Sequence, residues 1–488
     1  MAHIAIDLGN TSGRISLATL SGDRLQIAEV HRFANRSLRT DDRLEWDLAH
    51  LLDQVKQGIR LALAQNPAVE SIGIDSWGVD FALIDRNGTL LANPLHHRTA
   101  SLRAAQASVH ARIPPAELFA RTGTQDLPIN SLYHLIDIQA SRPELLEQAE
   151  TMLMMADIVR FRLSGDRTSE FTLATTSQLI DPQTSDWNLA LATELGLPAR
   201  IFPRLIHAGM QRGTLTSAIA IELSAPPIPV VAVAQHDTAS AVFATPGPDD
   251  AAWLSMGTWG LLGTGVDTPV LTDAARLGHL TNEGGAVANT RLLRNLTGMW
   301  LYERCRADLA GAGHALSHAD ILAATNVAPV GRHLFDPDHP TLVDPINLPQ
   351  AIADLVGQTH LSTAALFRSI TDSLALKVAM VLGDIERASI RRFPGLHLVG
   401  GGARNQPLAQ AIANALGRPV WTGPVEATTI GNVLMQIQAL GAPMSTANRH
   451  HLIRSSFPIE TVLPGDGPVW AELRRRFVDC VYDRSADG

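Results

Sequence analysis

Residues 3–20 read HIAIDLGNTSGRISLATL, and residues 251–266 read AAWLSMGTWGLLGTGV. Each stretch is an apolar strand, a tight turn of glycine with small polar residues, and a second apolar strand. Laid on one another, Asp7 falls on Ser255 and Gly9 on Gly257. A hairpin that recurs halfway along a chain predicts an internal duplication, here two α/β domains that meet at a cleft. The segments after each hairpin fit that reading. Leu48, Leu51, Leu52, Val55 and Ile59 mark one face of a helix over residues 47–65, and SIGID (71–75) is a short buried strand, with WGVDFALID returning as another. Residues 100–165 carry helical patterns broken at Gly123, Pro128 and Pro143. In the second half, apolar steps of three and four predict a long helix over 363–389. LHLV (396–399) is a buried strand, and Asn405, Pro407 and Gly417 frame a helix over 406–416 as cap, first turn and stop. The Pro/Gly loop ATPGPDD (244–250) marks a boundary. The expected domains are 1–243, 244–460 and a helical tail, 461–488.

Composition narrows the function. The chain has 488 residues, 45% hydrophobic and 18% charged, with a formal net charge of −9. A nucleic-acid binder needs a basic surface to displace counterions, so none is expected as partner. Two cysteines exclude a disulfide framework and favour the cytoplasm. The opening MAHIAIDLGN does not read as a secretory leader, and no apolar run reaches membrane-spanning length. The lysines, Lys56 and Lys377, stand in neither a Gly-Lys-Ser/Thr loop nor a kinase strand motif. If ATP is used, its phosphates are held another way.

Four turns and one aromatic cluster are candidates for that work. In DLGNTSGR (7–14), Gly9 and Gly13 let backbone approach a ligand. Asn10, Thr11 and Ser12 add donors to an anion-binding concavity, Arg14 adds a cation, and Asp7 can hold magnesium through water. A plain hairpin turn explains the same residues. In SMGTWG (255–260), Thr258 offers a hydroxyl to a terminal phosphate, again against a simple β-turn. GGGARN (400–405) puts three glycines before a helix N-terminus, where a nucleotide can lie on bare backbone. In QHDTASAV (235–242), Asp237 is either a helix cap or a general base. IDSWGVDF (74–81) lines up Asp75, Trp77, Gly78 and Asp80, acceptors and an apolar plate for a polyol, or a hairpin edge with one core tryptophan. The 18 histidines show no metal-ligand spacing.

The order of these motifs, DLG-x-(S/T)-SGR, GID-x-WG, HDT, SxGTW and VGGG followed by GPVEAT, resembles the FGGY carbohydrate kinases of the actin-like (ribonuclease H-like) ATPase superfamily. WGVDF, HDTASAV, TNEGGA (281–286), RNLTGMWL (294–301) and GPVEATTIGN (423–432) are similar to its rhamnulokinase branch. The resemblance covers residues 3 to about 440. It implies a two-domain ATP-dependent kinase, with Mg2+, acting on a small ketose, L-rhamnulose going to L-rhamnulose 1-phosphate, and a role in rhamnose metabolism. By position, Asp237 is the catalytic base. His236, Thr238, Gly78 and Asn295 contact the sugar. Asn10, Thr11, Ser12, Gly13, Arg14 and Thr258 contact phosphates, and Gly401 and Glu303 lie on the adenosine side. Glu303 stands where the branch carries an amide, His97-Arg98-Thr99 where it reads Tyr-Arg-Asp, and Asp126 where an apolar residue is expected. L-fuculose, xylulose or another polyol is the alternative substrate. A non-catalytic actin-like ATPase is the alternative class. The sequence leaves oligomeric state open.

Overall fold

The computed structural model describes residues 1–40, 43–287, 289–343, 345–441 and 444–482. The last six residues of the expected tail therefore lie outside the described residues. The chain forms two compact units. The first comprises Met1–Pro246, Gly265–Leu292 and Ala427–Ser456, and the second Gly247–Thr264, Leu293–Glu426 and Phe457–Gly488. The chain leaves the first unit inside the ATPGPDD loop, then returns to it twice.

The first unit is built on a six-stranded sheet: β1 (Ala2–Leu8), β2 (Ser12–Ser21), β3 (Arg24–Ala34), β4 (Ser71–Ser76), β5 (Met210–Thr214) and β6 (Pro229–Ala232), in the order β5-β6-β4-β1-β2-β3. β1 runs antiparallel to β2, with Asp7 opposite Arg14, and parallel to β4, with Asp7 opposite Asp75. Every residue of β1 and β4 is buried, as expected for strands covered on both faces. Helix α1 (Leu48–Gln65) buries Leu48, Leu51, Val55 and Ile59, and the Asp47 side chain caps it through His50 N–H. Helix α2 (Asp237–Phe243) follows β6.

The second unit repeats the arrangement. Its sheet has seven strands, β7 (Ala252–Met256), β8 (Trp259–Val266), β9 (Thr290–Thr297), β10 (Leu396–Val399), β11 (Val420–Thr422) and β12 (Glu460–Val462), ordered β9-β8-β7-β10-β11-β12, with Thr281–Gly284 at the edge beside β9. β7 pairs antiparallel with β8 and parallel with β10, with Ser255 opposite Val399. The turns differ by one residue: Gly9 N–H donates to Ser12 O at 3.0 Å across a four-residue loop, and Gly257 N–H to Trp259 O at 2.9 Å across a three-residue one. Helix α3 spans Thr363–Ser389. Helix α4 (Gln406–Leu416) starts on Asn405, whose side chain accepts from Leu408 N–H, and stops on the left-handed Gly417.

Two expectations change. WGVDFALID does not return into the main sheet: Phe81–Ile84 pairs antiparallel with Thr151–Met154 in a ladder of its own. TMLM carries no turn signal, and three apolar residues beside a helix have no period to read. Helix α5 (Ala427–Ala439) belongs to the first unit, where it packs on β1 and β4. A buried chain of hydrogen bonds secures it: Ser71 Oγ to Gln436 Oε1 (2.6 Å), Gln436 Nε2 to Asn432 Oδ1 (2.7 Å) and Asn432 Nδ2 to Asp75 Oδ2 (2.5 Å).

Candidate functional site

The first unit sets two carboxylates at the ends of its central strands. Asp7 closes β1 and pairs with the Arg14 guanidinium across the hairpin. Asp75, directly opposite on β4, is fully buried, and its Oδ1 has no hydrogen-bond partner. Burial, then the Asp7 charge, pushes the Asp75 carboxyl well above the usual carboxylate range; Asn432 pulls the other way. Asp7, unlike Asp75, has the Arg14 guanidinium beside it. The turn between β1 and β2 is tied down from behind: Asn35 Nδ2 donates to Gly9 O at 2.6 Å and Asn35 N–H to Thr11 O at 3.1 Å. Thr11 is left exposed at its tip, with Asn10 and Ser12 half-buried.

Asp237 is the first residue of α2. His236 holds the cap position, with extended backbone and no capping bond from its ring. The Asp237 side chain is 31% exposed, against 8% for His236. Its Oδ1 accepts from Thr238 N–H (2.5 Å) and Thr238 Oγ1 (3.1 Å), and lies 3.5 Å from His236 Nε2. The other edge of His236 faces Glu283 and Arg291, each 3.1 Å from Nδ1. Burial works against the Glu283 charge, but His236 and Arg291 hold its carboxyl below the ordinary range.

Beside this lies an aromatic cluster around Asp80. The carboxylate has no exposed surface. Its Oδ2 accepts from Trp46 Nε1 (2.7 Å), Trp77 Nε1 (2.7 Å) and His97 Nδ1 (2.8 Å). Trp46 stacks on His96 with ring centroids 4.1 Å apart. Burial, then the charge of His97, lowers the His96 pKa to about 3, so that ring is neutral at pH 7. Gly78 leads into Val79, a β-branched residue at φ 71°. That conformation is costly for valine. It is held on both sides, Val79 N–H donating to Thr176 Oγ1 (3.0 Å) and Val79 O accepting from Ser131 Oγ (2.5 Å). The histidine in His97-Arg98-Thr99 serves Asp80. Asp126 is likewise accommodated, by Tyr133 Oη, Gln106 Nε2 (3.2 Å) and Gln178 Nε2 (3.4 Å).

The second unit carries the other turns. Under SMGTWG, Met299 N–H donates to Gly257 O (2.8 Å) and Trp300 N–H to Thr258 O (3.2 Å). These bonds fix the backbone. Among the described residues, Thr258 Oγ1 has no hydrogen-bond partner, and the residue is half-buried. In GGGARN the three glycines differ. Gly400 sits at φ 82°, which favours glycine. A Cβ on Gly402 would stand 2.4 Å from Met256 Cγ. A Cβ on Gly401 would meet nothing within 4 Å, so neither packing nor backbone demands glycine there. A ligand passing over it would. Gly401→Leu is expected to raise the KM for ATP about tenfold, roughly one methyl-scale clash or more, with Tm unchanged; equal KM values would return the glycine to the turn. Asn295 lies half-buried on β9. Glu303 is 46% exposed and pairs with Arg306 (2.7 Å) and His318 (2.8 Å).

Oxygen donors at Asp7 suit Mg2+, but among the described residues no group of three or more potential ligands occurs. Asp7 would therefore need phosphate oxygens and water to complete a shell. No described helix is long and apolar enough to cross a membrane.

Solved structures with this architecture include two kinases of small hydroxyl compounds. Xylulose kinase from Lactobacillus acidophilus matches with a TM-score of 0.83 over 98% of this chain and 97% of that one, at 16% identity. Glycerol kinase from Plasmodium falciparum matches with a TM-score of 0.79 over 100% and 97%, at 13%. The fold is that of the actin-like ATPases. The model of the N-terminal domain of the FGGY family of carbohydrate kinases matches residues 2–244, and that of its C-terminal domain residues 252–440. The chain belongs to the FGGY family of carbohydrate kinases. It is 36% identical to the rhamnulokinase of Bacteroides thetaiotaomicron over 482 residues, 98% of this chain and 99% of that protein. To the rhamnulokinase of Pectobacterium atrosepticum it is 37% identical, over 97% and 95%.

Proposed function

We propose that this kinase transfers the γ-phosphoryl of Mg-ATP to the primary hydroxyl of L-rhamnulose, giving L-rhamnulose 1-phosphate. The full-length similarity to rhamnulokinases carries the choice of sugar. Asp237 is the one proposed sugar-side carboxylate with an exposed edge, and it serves as general base. It takes the hydroxyl proton as the sugar oxygen attacks the γ-phosphorus. Gly78, His236, Thr238 and Asn295 orient the sugar. Trp77 and Asp80 act at one remove, through the aromatic cluster. Asn10 to Arg14 and Thr258 donate to phosphate oxygens, supplying what a P-loop lysine supplies elsewhere. Gly401 and Glu303 flank the adenosine, so residues 1–243 supply the sugar contacts other than Asn295, and 244–460 the nucleotide contacts other than Asn10 to Arg14. A magnesium ion at Asp7 would neutralise phosphate charge. The cytoplasm is the proposed compartment.

ADP release across a panel of ketoses and polyols tests this. L-rhamnulose should be the best acceptor, since a pocket that hydrogen-bonds hydroxyls leaves buried groups unpaired with the wrong epimer. Preference for D-xylulose, L-fuculose or glycerol would reject the sugar. Thr258→Val removes a donor without changing shape. It should reduce kcat/KM for ATP by about 1.5–3 kcal/mol, the worth of a hydrogen bond to a charged group. Unchanged kinetics would make the turn purely structural.

A further inference from the structure

Between Trp77 and Asp80 the chain reverses on Gly78 and Val79. Asp80 N–H donates to Gly78 O at 3.0 Å, a bond that spans a single residue. With φ 71° at Val79, that bond makes Gly78, Val79 and Asp80 a γ-turn of the rare, strained hand. A β-branched side chain tolerates this backbone poorly. The turn brings Trp77 back onto Asp80, whose Oδ2 takes the indole N–H at 2.7 Å.

Two buried hydroxyls from other elements hold the Val79 peptide groups. Thr176 stands in the short 3-10 helix Thr175–Ser177, and Ser131 opens the helix Ser131–Ser141. Thr176 Oγ1 accepts from Val79 N–H (3.0 Å) and donates to Leu173 O (2.8 Å). Ser131 Oγ donates to Val79 O (2.5 Å). Each hydroxyl spends its one proton once. A Cβ on Gly78 would stand 2.9 Å from Thr176 Cγ2, so glycine is what lets the threonine come this close. Asp80 O accepts from Met155 N–H at 3.2 Å. Every main-chain polar group of the three residues is then engaged except one. Among the described residues, Gly78 N–H has no partner, and Gly78 is half-buried. A main-chain donor left over in such a place takes an oxygen from water or from a ligand.

We infer that Thr176 and Ser131 are positioning residues for the sugar: they hold Val79 in the strained turn, and the turn presents Gly78 N–H as donor to a sugar oxygen. This rests on the proposed contact between Gly78 and the sugar. The donor is backbone, so its place is set by the turn and not by a rotamer. A hydrogen bond made both before and during phosphoryl transfer lowers sugar KM and leaves kcat alone.

The test is one spectrum and a set of variants. In the sequence, Gly78 and Gly260 are the glycines that follow a tryptophan. Carbonyl-13C tryptophan with 15N glycine therefore picks out two amide signals, and Gly260→Ala tells them apart. Saturating L-rhamnulose should shift the Gly78 signal. Ser131→Ala with Thr176→Val removes both hydroxyls at nearly unchanged shape, and Val79 relaxes to negative φ. Sugar KM should rise roughly threefold to tenfold, the worth of one neutral hydrogen bond, with kcat within about twofold. Adding Val79→Gly should bring KM back to within about twofold, because glycine takes positive φ about as readily as negative. Adding Val79→Ala, which trims the side chain but keeps the Cβ, should not. Thr176→Ser keeps the hydroxyl and should keep KM. Rescue by glycine and not by alanine is a pattern that loss of packing alone does not produce. An unmoved KM in the double variant, or equal rescue by alanine and glycine, would overturn the positioning role. A Gly78 signal that ignores L-rhamnulose, in an enzyme that turns it over, would remove the contact and the inference with it. That spectrum decides even if the double variant does not fold. If the ketose panel rejects L-rhamnulose, the proposed sugar alone falls, and the same spectrum with the acceptor it selects decides the inference.

Discussion

Asp237→Asn is expected to lower kcat by roughly 100- to 10,000-fold with Tm nearly unchanged, the range lost when a general base cannot accept a proton. The structure makes this substitution unusually clean. Asp237 follows the cap position, and the ring of His236 makes no capping bond that the change would disturb. The bonds that Asp237 Oδ1 accepts, from Thr238 N–H and Oγ1, need only one oxygen, which asparagine retains. Binding of ATP should survive, because the proposed phosphate donors lie on other turns. The rival reading makes Asp237 only a helix-terminal carboxylate. Then Asp237→Asn stays almost fully active, and Asp237→Ala loses at most about 1 kcal/mol of stability, the worth of a carboxylate in a helix's first turn. Turnover by ADP release, with calorimetric melting on both variants, decides between them. An active asparagine enzyme would remove the base.

The features legible in the sequence are local ones. Hairpins at Asp7–Arg14 and Ser255–Gly260, the cap at Asn405 and the period of α3 each depend on residues within a few positions of one another. The paired hairpins also carried the duplication, because the same turn chemistry recurs in the same place. What stayed hidden depends on partners far apart in the chain. Asn432 reaches Asp75 from 357 residues away, and nothing near either residue announces that the carboxyl there sits above its ordinary range. Glu283 and Arg291 read as ordinary strand residues until β9 and its neighbour bring them against His236. Trp46 carries no motif, yet it donates to the same oxygen as Trp77. The strain at Val79 was hidden for another reason. A valine between glycine and aspartate signals a strand by composition, and only tertiary bonds from Thr176 and Ser131 force its φ positive. The glycines of GGGARN were readable as a group, but which of them leaves room for a ligand required the position of Met256.

Asp80→Ala should be the most destabilising single change in this region, costing about 3–5 kcal/mol, as expected when one partner of a buried charged cluster is removed. Three N–H donors, from Trp46, Trp77 and His97, converge on one oxygen with no exposed surface. Alanine leaves all three without an acceptor and opens space beneath two indoles. Asp80→Asn keeps a carbonyl oxygen for those donors and should lose clearly less. The pH dependence follows from the same geometry. Burial alone would raise the Asp80 carboxyl, but His97, with His134 and His96, holds it below its ordinary value. A carboxyl with a lowered folded pKa contributes stability that is present above its unfolded value, near pH 4, and is lost as the pH falls through the folded one. The Tm of the unaltered enzyme should therefore fall below pH 4 more steeply than that of Asp80→Asn, in which this group no longer titrates. The kinetics separate a supporting carboxylate from a sugar ligand. If Asp80 touches the sugar directly, Asp80→Asn raises sugar KM while Tm and its acid limb stay as they were. If it holds the rings in place, Tm falls in the order unaltered, Asn, Ala, and sugar KM rises in that order too, because Trp77 and His97 lose the acceptor that sets their orientation.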